Sequence, residues 1–436
     1  MILVSGVDEP MAKVERIPVC DGVTFQTIHD DRFKTGRISA VLLLPLQKET
    51  AAANMILPFL LRRSCAAYPD FTMLNRRLAD LYGAYLYADV RKIGETQALI
   101  LSAVGLDDRF TLNGESVSAE LSKLLCNLLF EPAFENGRFR EEDIEQERRQ
   151  LIELIDSEYN DKRLYALSRC EELMCEGEAF GIARFGSREA VERLTEEEIH
   201  AAWERALSTA RIEITFLGAS NPQAARDRFA QAFSSVRRGK TADCRTEVLR
   251  AAKETREKND RMEVAQCKLV LGFRAGKSSA DEDVMATRLM SALFGGTPSS
   301  KLFLNVREKL SLCYYCSSRF ERNKGLLLVE SGVEYKNIEK AKKEILAQLG
   351  EIQKGNITDE ELEAAKLYMA NSFRSVSDAP GGLESWYLSQ LFDRRVLSPE
   401  EAAEEAAAVS KEAVRAAANA VSLDLIYTLT GKGEQA

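Results

Sequence analysis

The stretch that decides the fold is Leu293-Phe-Gly-Gly-Thr-Pro-Ser-Ser-Lys-Leu-Phe-Leu-Asn-Val-Arg-Glu-Lys309, which continues as Leu310-Ser-Leu-Cys-Tyr-Tyr-Cys-Ser-Ser318. Its glycine pair and proline predict a turn, because these residues adopt or fix backbone angles that other residues avoid. The charged amphipathic segment 301–309 predicts a helix, and the apolar, aromatic run that follows predicts strands. Here the chain is therefore expected to pass from a turn to a helix and then into a sheet.

The same order of elements occurs earlier in the chain. Residues 73–82 have the pattern of a charged amphipathic helix, and residues 84–104 continue as strands, as residues 311–333 do later. Tyr85 lies on an expected edge strand, to which a peptide can add by backbone pairing. Ordinary sheet packing explains the tyrosines of this strand equally well.

The two halves of the chain repeat the same order of elements at an offset of roughly 210 to 230 residues. The matching elements are a strand before a helix, an apolar helix, the acidic start of a long helix, and a helix leading into a strand. In the order just given, residues 38–44 correspond to 267–273, 116–129 to 338–352, 140–143 to 358–361, and 195–217 to 411–430. Two copies of one α/β unit explain this order.

A charged segment separates the two halves. Residues 236–264 are poor in apolar side chains and dense in Lys, Arg, Glu and Asp, a composition typical of a solvated linker. We therefore predict an N-terminal domain over residues 1–235, a linker over 236–264 and a C-terminal domain over 265–436.

The composition describes a folded protein and excludes several kinds of partner. The chain has 436 residues, of which 45% are apolar and 29% charged, and this length favours two domains. The net charge of −9 argues against nucleic acid as a partner, because such binding needs clustered Lys and Arg. No apolar run is long enough to span a membrane, and residues 1–20 lack the pattern of an export signal. We expect a cytoplasmic protein that has no membrane partner.

Nine cysteines, an odd number spread along a chain with no export signal, are more typical of reduced core residues than of a disulfide framework. Cys313 and Cys316 form a C-x-x-C motif without a second cysteine pair to complete a tetrahedral metal site. We interpret them as core residues in preference to a metal or redox site.

Residues 293–318 resemble the second-half segment of the pitrilysin/insulinase family of zinc metallopeptidases, where a glycine-rich turn precedes Ser-Ser-x-Leu-Phe and then Arg-Glu-Lys. In the first half, Ile144-Glu-Gln-Glu-Arg-Arg-Gln-Leu-Ile-Glu-Leu-Ile155 resembles the family's Glu-Arg-x-Val-Val-x-Glu-Glu-Ile helix. The resemblance covers nearly the whole chain. It implies an α+β fold of two tandem homologous α/β-sandwich domains of the processing-peptidase type.

The zinc ligands of that family are missing from this sequence. Active members hold zinc through H-x-x-E-H on the first helix and a third ligand on a later acidic helix. The resemblance places Met55, Pro58 and Phe59 at the His, Glu and His positions, and Leu154, or Glu153 one residue earlier, at the later ligand. The chain contains two histidines, far apart, so no H-x-x-E-H can be written anywhere. We expect neither a metal nor a catalytic residue in this chain.

Arg307 and Tyr314 coincide with an arginine and a tyrosine that bind the substrate carbonyl in active relatives. A guanidinium and a phenol are suitable donors to a developing oxyanion. Taken without the resemblance, the residues favour a simpler interpretation: Arg307 on a solvated helix face and Tyr314 in a sheet core. The resemblance favours substrate binding by the pair.

Two functional hypotheses follow from the resemblance. In the first, the chain is the zinc-free subunit of a heterodimeric metallopeptidase, and a partner chain with an H-x-x-E-H motif supplies zinc to hydrolyse a peptide held by both chains. In the second, the chain is a scaffold that binds a peptide without hydrolysis. Zinc-free chains of this type also resemble Gram-positive proteins associated with the modification of translation elongation factor P.

Overall fold

The computed structural model describes residues 13–431 and contains two separate mixed β-sheets, each covered by helices. The strands of the first half are Lys13–Cys20 (β1), Val23–His29 (β2), Thr35–Pro45 (β3), Tyr85–Ile93 (β4), Thr96–Leu106 (β5) and Arg211–Gly218 (β6). Its helices are Ala51–Leu61 (α1), Phe71–Asp80 (α2), Val117–Phe130 (α3), Glu141–Asn160 (α4), Lys162–Met174 (α5), Arg188–Arg193 (α6), Glu196–Thr209 (α7) and Gln223–Ser234 (α8).

The second half repeats this mixture of strands and helices. Its strands are Arg256–Met262 (β7), Cys267–Arg274 (β8), Cys313–Glu321 (β9), Leu326–Val333 (β10) and Ser422–Gly431 (β11). Its α-helices are Val284–Ser291 (α9), Ile338–Lys354 (α10), Asp359–Arg374 (α11), Pro380–Leu388 (α12), Pro399–Ala408 (α13) and Lys411–Asn419 (α14). Two further helical stretches, Ala292–Gly296 and Leu302–Lys309, are π-helical.

The first sheet has the strand order β1-β2-β6-β3-β5-β4, and the second has the order β7-β11-β8-β10-β9. The central strands β3 and β5 are buried along almost their whole length, since helices cover both faces of the sheet. Strands buried on both faces are expected to contain apolar runs, as residues 40–44 and 98–101 do. The predicted fold class is confirmed.

Each half lends a helix to the sheet of the other. Helix α5 packs on the second sheet, where Cys170 and Met174 lie against Leu425 and Tyr427. Gly272 on β8 permits this approach, because a Cβ atom there would lie 2.1 Å from the Met174 sulfur. In return, α12 places Leu388 against the outer face of the first sheet. The two sheets are therefore packed against each other through exchanged helices.

A buried ion network also joins the halves, at the turns of their corresponding hairpins. Lys324, in the β9–β10 turn, is fully buried and forms ion pairs with Glu95, in the β4–β5 turn, and with Glu178, 2.8 Å away. Arg274 contacts the same Glu178 at 2.8 Å and Asp424 at 2.7 Å. Burial alone would raise the pKa of Glu178, but hydrogen bonds from Arg274 and Lys324 lower it below its usual value.

The charged segment predicted as a linker is more structured than expected. Residues 256–262 form β7, which pairs in parallel with β11 at one edge of the second sheet. Its alternating, mostly exposed side chains explain why the composition resembles a linker. The predicted domain limits remain predictions, and those at residues 1 and 436, like the N-terminal stretch before residue 13, lie outside the described residues.

No helix among residues 13–431 combines the length and apolar character that a bilayer crossing requires.

Candidate functional site

The residues at the zinc-ligand positions of the first half lie on α1 in a hydrophobic environment. We use the name α1 corner for the region that consists of α1, the Arg62 and Arg63 that follow it, and the part of α4 that faces α1. Met55 is 1% exposed within the first core, and Phe59 packs against that core. Pro58 lies inside the helix and has no donor to offer. A thioether and a phenyl ring cannot replace the two imidazoles of a zinc site.

Helix α4 does not bring a ligand to these positions. Leu154 is 39% exposed, whereas the buried residues of α4 are Ile144, Glu147 and Leu151. The buried Glu147 pairs with Arg63 at 2.9 Å, and Asp143 pairs with the same guanidinium at 2.8 Å. The acidic residues that face α1 are thus neutralised by an arginine.

The donor set of the α1 corner does not fit a zinc ion. Within residues 13–431, no cluster of three or more His, Cys, Asp and Glu side chains is placed to hold a metal. The two histidines are separated, with His29 at the end of β2 and His200 on α7 among Phe134, Phe139 and Trp203.

Arg307 and Tyr314 lie in a second region, which we call the β9 corner and which consists of the π-helical stretch Leu302–Lys309 and the start of β9. Arg307 is 41% exposed, its guanidinium stacks over the Phe303 ring at 4.7 Å, and its ion pair with Glu308 is loose at 3.6 Å. π-helical turns are rare and are frequently found at functional sites.

A β-bulge turns Tyr314 outward. Strand β9 pairs Tyr315 with Gly332 and Cys313 with Val333, so Tyr314 is the extra residue between two successive pairs. Tyr314 is 65% exposed as a result. Tyr315 turns to the opposite face, where the guanidinium of Arg163 lies 4.6 Å from its ring. Bulges often redirect a side chain next to an active site.

The simpler interpretation of the sequence, a solvated arginine and a tyrosine in a sheet core, is therefore correct only for the arginine. Arg307 does lie on an exposed helical face, but Tyr314 does not fill a sheet core. The two residues belong to one corner, because the π-helical stretch packs on β9 and the charge of Arg307 acts on the adjacent Cys313 thiol.

Sequence reasoning missed the environment of the two cysteines in this corner. A hydrogen bond from Cys316 lowers the pKa of the Cys313 thiol to about 7, opposed by burial and helped by Ser331 and Arg307. The C-x-x-C spacing was the available signal, but in a regular strand such residues point to opposite faces. The bulge, which the sequence does not predict, allows both cysteines to lie on the same face.

The fold and these two corners define a class of protein: a two-domain peptidase-like chain without the metal site of a peptidase. Residues 193–369 match the family described as the Peptidase M16 inactive domain, M16 being the pitrilysin/insulinase class. The predicted family resemblance is confirmed, and over these residues the chain is similar to M16 peptidase domains described as inactive.

Two Bacillus subtilis proteins are similar to this chain, one of them over nearly its whole length. The chain is 28% identical to the "Probable inactive metalloprotease YmfF" of Bacillus subtilis (strain 168) over 412 residues, 94% of this chain and 96% of that protein. It is also 28% identical to the "Uncharacterized zinc protease YmxG" of the same organism, over 137 residues that cover 31% of this chain and 32% of the relative.

Solved structures agree with the fold. A conserved protein from Enterococcus faecalis V583 is similar with a TM-score of 0.89 and 28% identity, over 97% of this chain and 100% of that one. A peptidase M16 inactive domain from Pseudomonas fluorescens shares the fold with a TM-score of 0.75 and 16% identity, over 97% and 99% of the two chains.

Proposed function

We propose that this chain is the non-catalytic subunit of a heterodimeric zinc metallopeptidase in the cytoplasm. The observation that carries the proposal is the β9 corner, where a π-helical turn and a β-bulge leave Arg307 and Tyr314 free to contact a ligand. Both irregularities disrupt the regular backbone hydrogen bonds of a helix or a sheet. Side chains that were needed only for packing would not require either of them.

The chemistry of the pair suits the polarisation of a peptide carbonyl. A guanidinium and a phenolic hydroxyl both donate hydrogen bonds, and such donors stabilise the negative charge that develops as water attacks a carbonyl carbon. Water activation needs a base and a metal, and the α1 corner offers neither. Both are therefore assigned to a partner chain that carries H-x-x-E-H and binds zinc.

The partner we expect is a paralogue of this chain. Two chains of one fold can close around a peptide with the first-half corner of one facing the second-half corner of the other. The partial match to a relative named as a zinc protease supports such a pairing, because it connects this sequence to a chain with the missing chemistry.

A peptide-binding scaffold without hydrolysis is the second candidate function. It is favoured by β4, which lies at one edge of the first sheet in the described part of the chain and exposes Tyr85. An edge strand can bind an extended peptide through its free backbone groups. The association with elongation factor P rests on the family resemblance alone.

The test is a peptidase assay of this chain, of an H-x-x-E-H paralogue, and of their mixture, each in the presence of zinc. We expect hydrolysis to rise in the mixture and the rise to be lost with Arg307→Ala. Tyr314→Phe removes only the hydroxyl and should lower kcat more than it raises KM, because its donor acts mainly on the transition state.

Matched variants separate this role from general effects of substitution. Arg237→Ala removes an exposed arginine from the first half, and Tyr368→Phe removes a hydroxyl from an exposed tyrosine on α11; neither should change the rate. An inert mixture, or equal activity with Arg307→Ala, would contradict the shared site and leave the scaffold as the better account.

A further inference from the structure

The bulge that exposes Tyr314 also places Cys313 and Cys316 on one face of β9. Cys316 pairs with Ser331 and Cys313 pairs with Val333, so a three-residue step on β9 matches a two-residue step on β10. In a regular strand, residues three apart point to opposite faces. Both cysteines instead face the helix-covered core of the second half, together with Val329.

The two thiols are chemically unequal. Their mutual hydrogen bond lowers the pKa of Cys313 to about 7 and, with burial, raises that of Cys316 well above its usual value. The positive charge of Arg307 also favours the Cys313 thiolate. A thiolate beside a protonated thiol is the arrangement in which one sulfur attacks and the other resolves.

We propose that Cys313 and Cys316 form a dithiol that a hydroperoxide oxidises reversibly to a disulfide. The Cys313 thiolate attacks the peroxide oxygen, the O–O bond breaks, and the leaving oxygen takes a proton, which gives a sulfenic acid. The Cys316 thiol then attacks the Cys313 sulfur and releases water. In total, two thiols and one hydroperoxide give one disulfide, one water and one alcohol, or two waters with hydrogen peroxide.

This disulfide would control the β9 corner. It would span the bulge that holds Tyr314, and it would remove the thiolate that faces Arg307. Oxidation is therefore expected to change the geometry of the pair and to lower its contribution to peptide hydrolysis. This last consequence rests on the proposed function, whereas formation of the disulfide does not.

The sequence supplies an internal control for the test. Trypsin releases residues 310–319 with Cys313 and Cys316, and residues 170–184 with Cys170 and Cys175. Cys170 and Cys175 are fully buried, and burial raises the pKa of Cys175 to about 12 and that of Cys170 well above its usual value. They should react far more slowly with an oxidant.

The experiment treats the folded chain with hydrogen peroxide, quenches it in acid, alkylates the free thiols under denaturing conditions and measures the tryptic peptides by mass. We expect peptide 310–319 to lose two hydrogens and to resist alkylation until a dithiol reductant is added, while peptide 170–184 stays fully alkylated. Equal oxidation of both peptides, or no intramolecular disulfide in 310–319, overturns the proposal.

Two variants define the order of the steps. Cys316→Ser should let the sulfenic acid at Cys313 accumulate, so that a sulfenic-acid trap labels that residue. Cys313→Ser should abolish both the label and the disulfide. Labelling at Cys316 instead would overturn the assigned order. A disulfide that forms without any effect on the two-chain peptidase assay would contradict only the functional consequence.

Discussion

The α1 corner lies in the first half and the β9 corner in the second, and the two differ in what their residues contact. In the α1 corner, Met55 is buried in the core, and Arg63 neutralises the acidic residues of α4. In the β9 corner, Arg307 and Tyr314 face solvent on irregular backbone. The first corner is a packing site, whereas the second exposes the pair that we propose binds the substrate.

The contrast is between ligand positions that are filled by apolar side chains and a proposed binding pair that stays exposed. A lost ligand position inside a helix is filled by apolar residues, because a buried polar group without a partner is unfavourable. That reason does not apply to Arg307 and Tyr314, because their side chains are exposed on the π-helical stretch and at the bulge.

Removal of the cation that joins the halves should have the largest effect. Lys324→Met keeps the volume of the side chain but leaves the buried Glu95 without its cation, whereas Glu178 keeps its ion pair with Arg274. Breaking a buried ion pair in this way costs about 3–5 kcal/mol. Chemical denaturation should show this loss in the free energy of unfolding.

The control for this change is Lys343→Ala, which removes an exposed lysine from α10. Its effect should stay within about 0.5 kcal/mol. If Lys324→Met were equally mild, the network would contribute little to joining the halves, and the exchanged helices would account for the junction.

Truncation of the former ligand position should also be costly. Met55→Ala removes a side chain that is 1% exposed, and such deletions destabilise a protein by about 2–5 kcal/mol. Met73→Ala, on the exposed side of α2, is the matched control and should change stability by less than about 0.5 kcal/mol. A neutral Met55→Ala would mean that the α1 corner is not a packing site.

Most elements of both halves could be predicted from hydrophobic periodicity. Residues 338–352 were predicted as a helix and form α10, and residues 267–273 were predicted as a strand and form β8. The acidic helix starts at Thr195 and Thr358 are capping boxes, a local signal that needs no tertiary information.

Features that depend on distant contacts could not be predicted. Strand β7 was missed because an exposed edge strand lacks the apolar alternation that periodicity detects. The π-helical stretches and the bulge at Tyr314 are set by packing between elements and not by local sequence. The resemblance found the Arg307 and Tyr314 pair, but only the structure shows why they are exposed.

Acid should weaken the junction between the two halves. The folded-state pKa of Glu178 lies below its unfolded-state value, so its stabilising contribution is present above the unfolded pKa and is lost as the pH falls through the folded pKa. Stability should therefore fall below about pH 4. The loss should be smaller than that of Lys324→Met, because a protonated carboxyl still forms hydrogen bonds.

Denaturation curves measured from neutral to acidic pH test this expectation with Glu178→Gln as the comparison. That variant should lose less stability than the wild-type chain over the same acidic range, since its side chain does not titrate. If the wild-type chain and the Glu178→Gln variant lost the same stability as the pH falls, the acid sensitivity would come from other carboxylates.

Substitutions in the β9 corner should hardly affect folding. Arg307→Ala and Tyr314→Phe alter exposed side chains, so each should change the free energy of unfolding by no more than about 0.5 kcal/mol. The same variants should abolish or lower the activity of the two-chain mixture. A large loss of stability with either variant would show that the pair is structural.

Zinc should have no effect on the stability of this chain alone. A metal stabilises a folded protein only by binding it more tightly than the unfolded chain, and a tight zinc site needs three or four suitable ligands. Thermal unfolding with added zinc and with a chelator should therefore give the same Tm. A zinc-dependent rise in Tm that disappears with Glu147→Gln would place a metal in the α1 corner. The two corners would then no longer differ as described above. A rise that disappears with Cys313→Ser would instead place the metal at the thiol pair, and the α1 corner would remain a packing site.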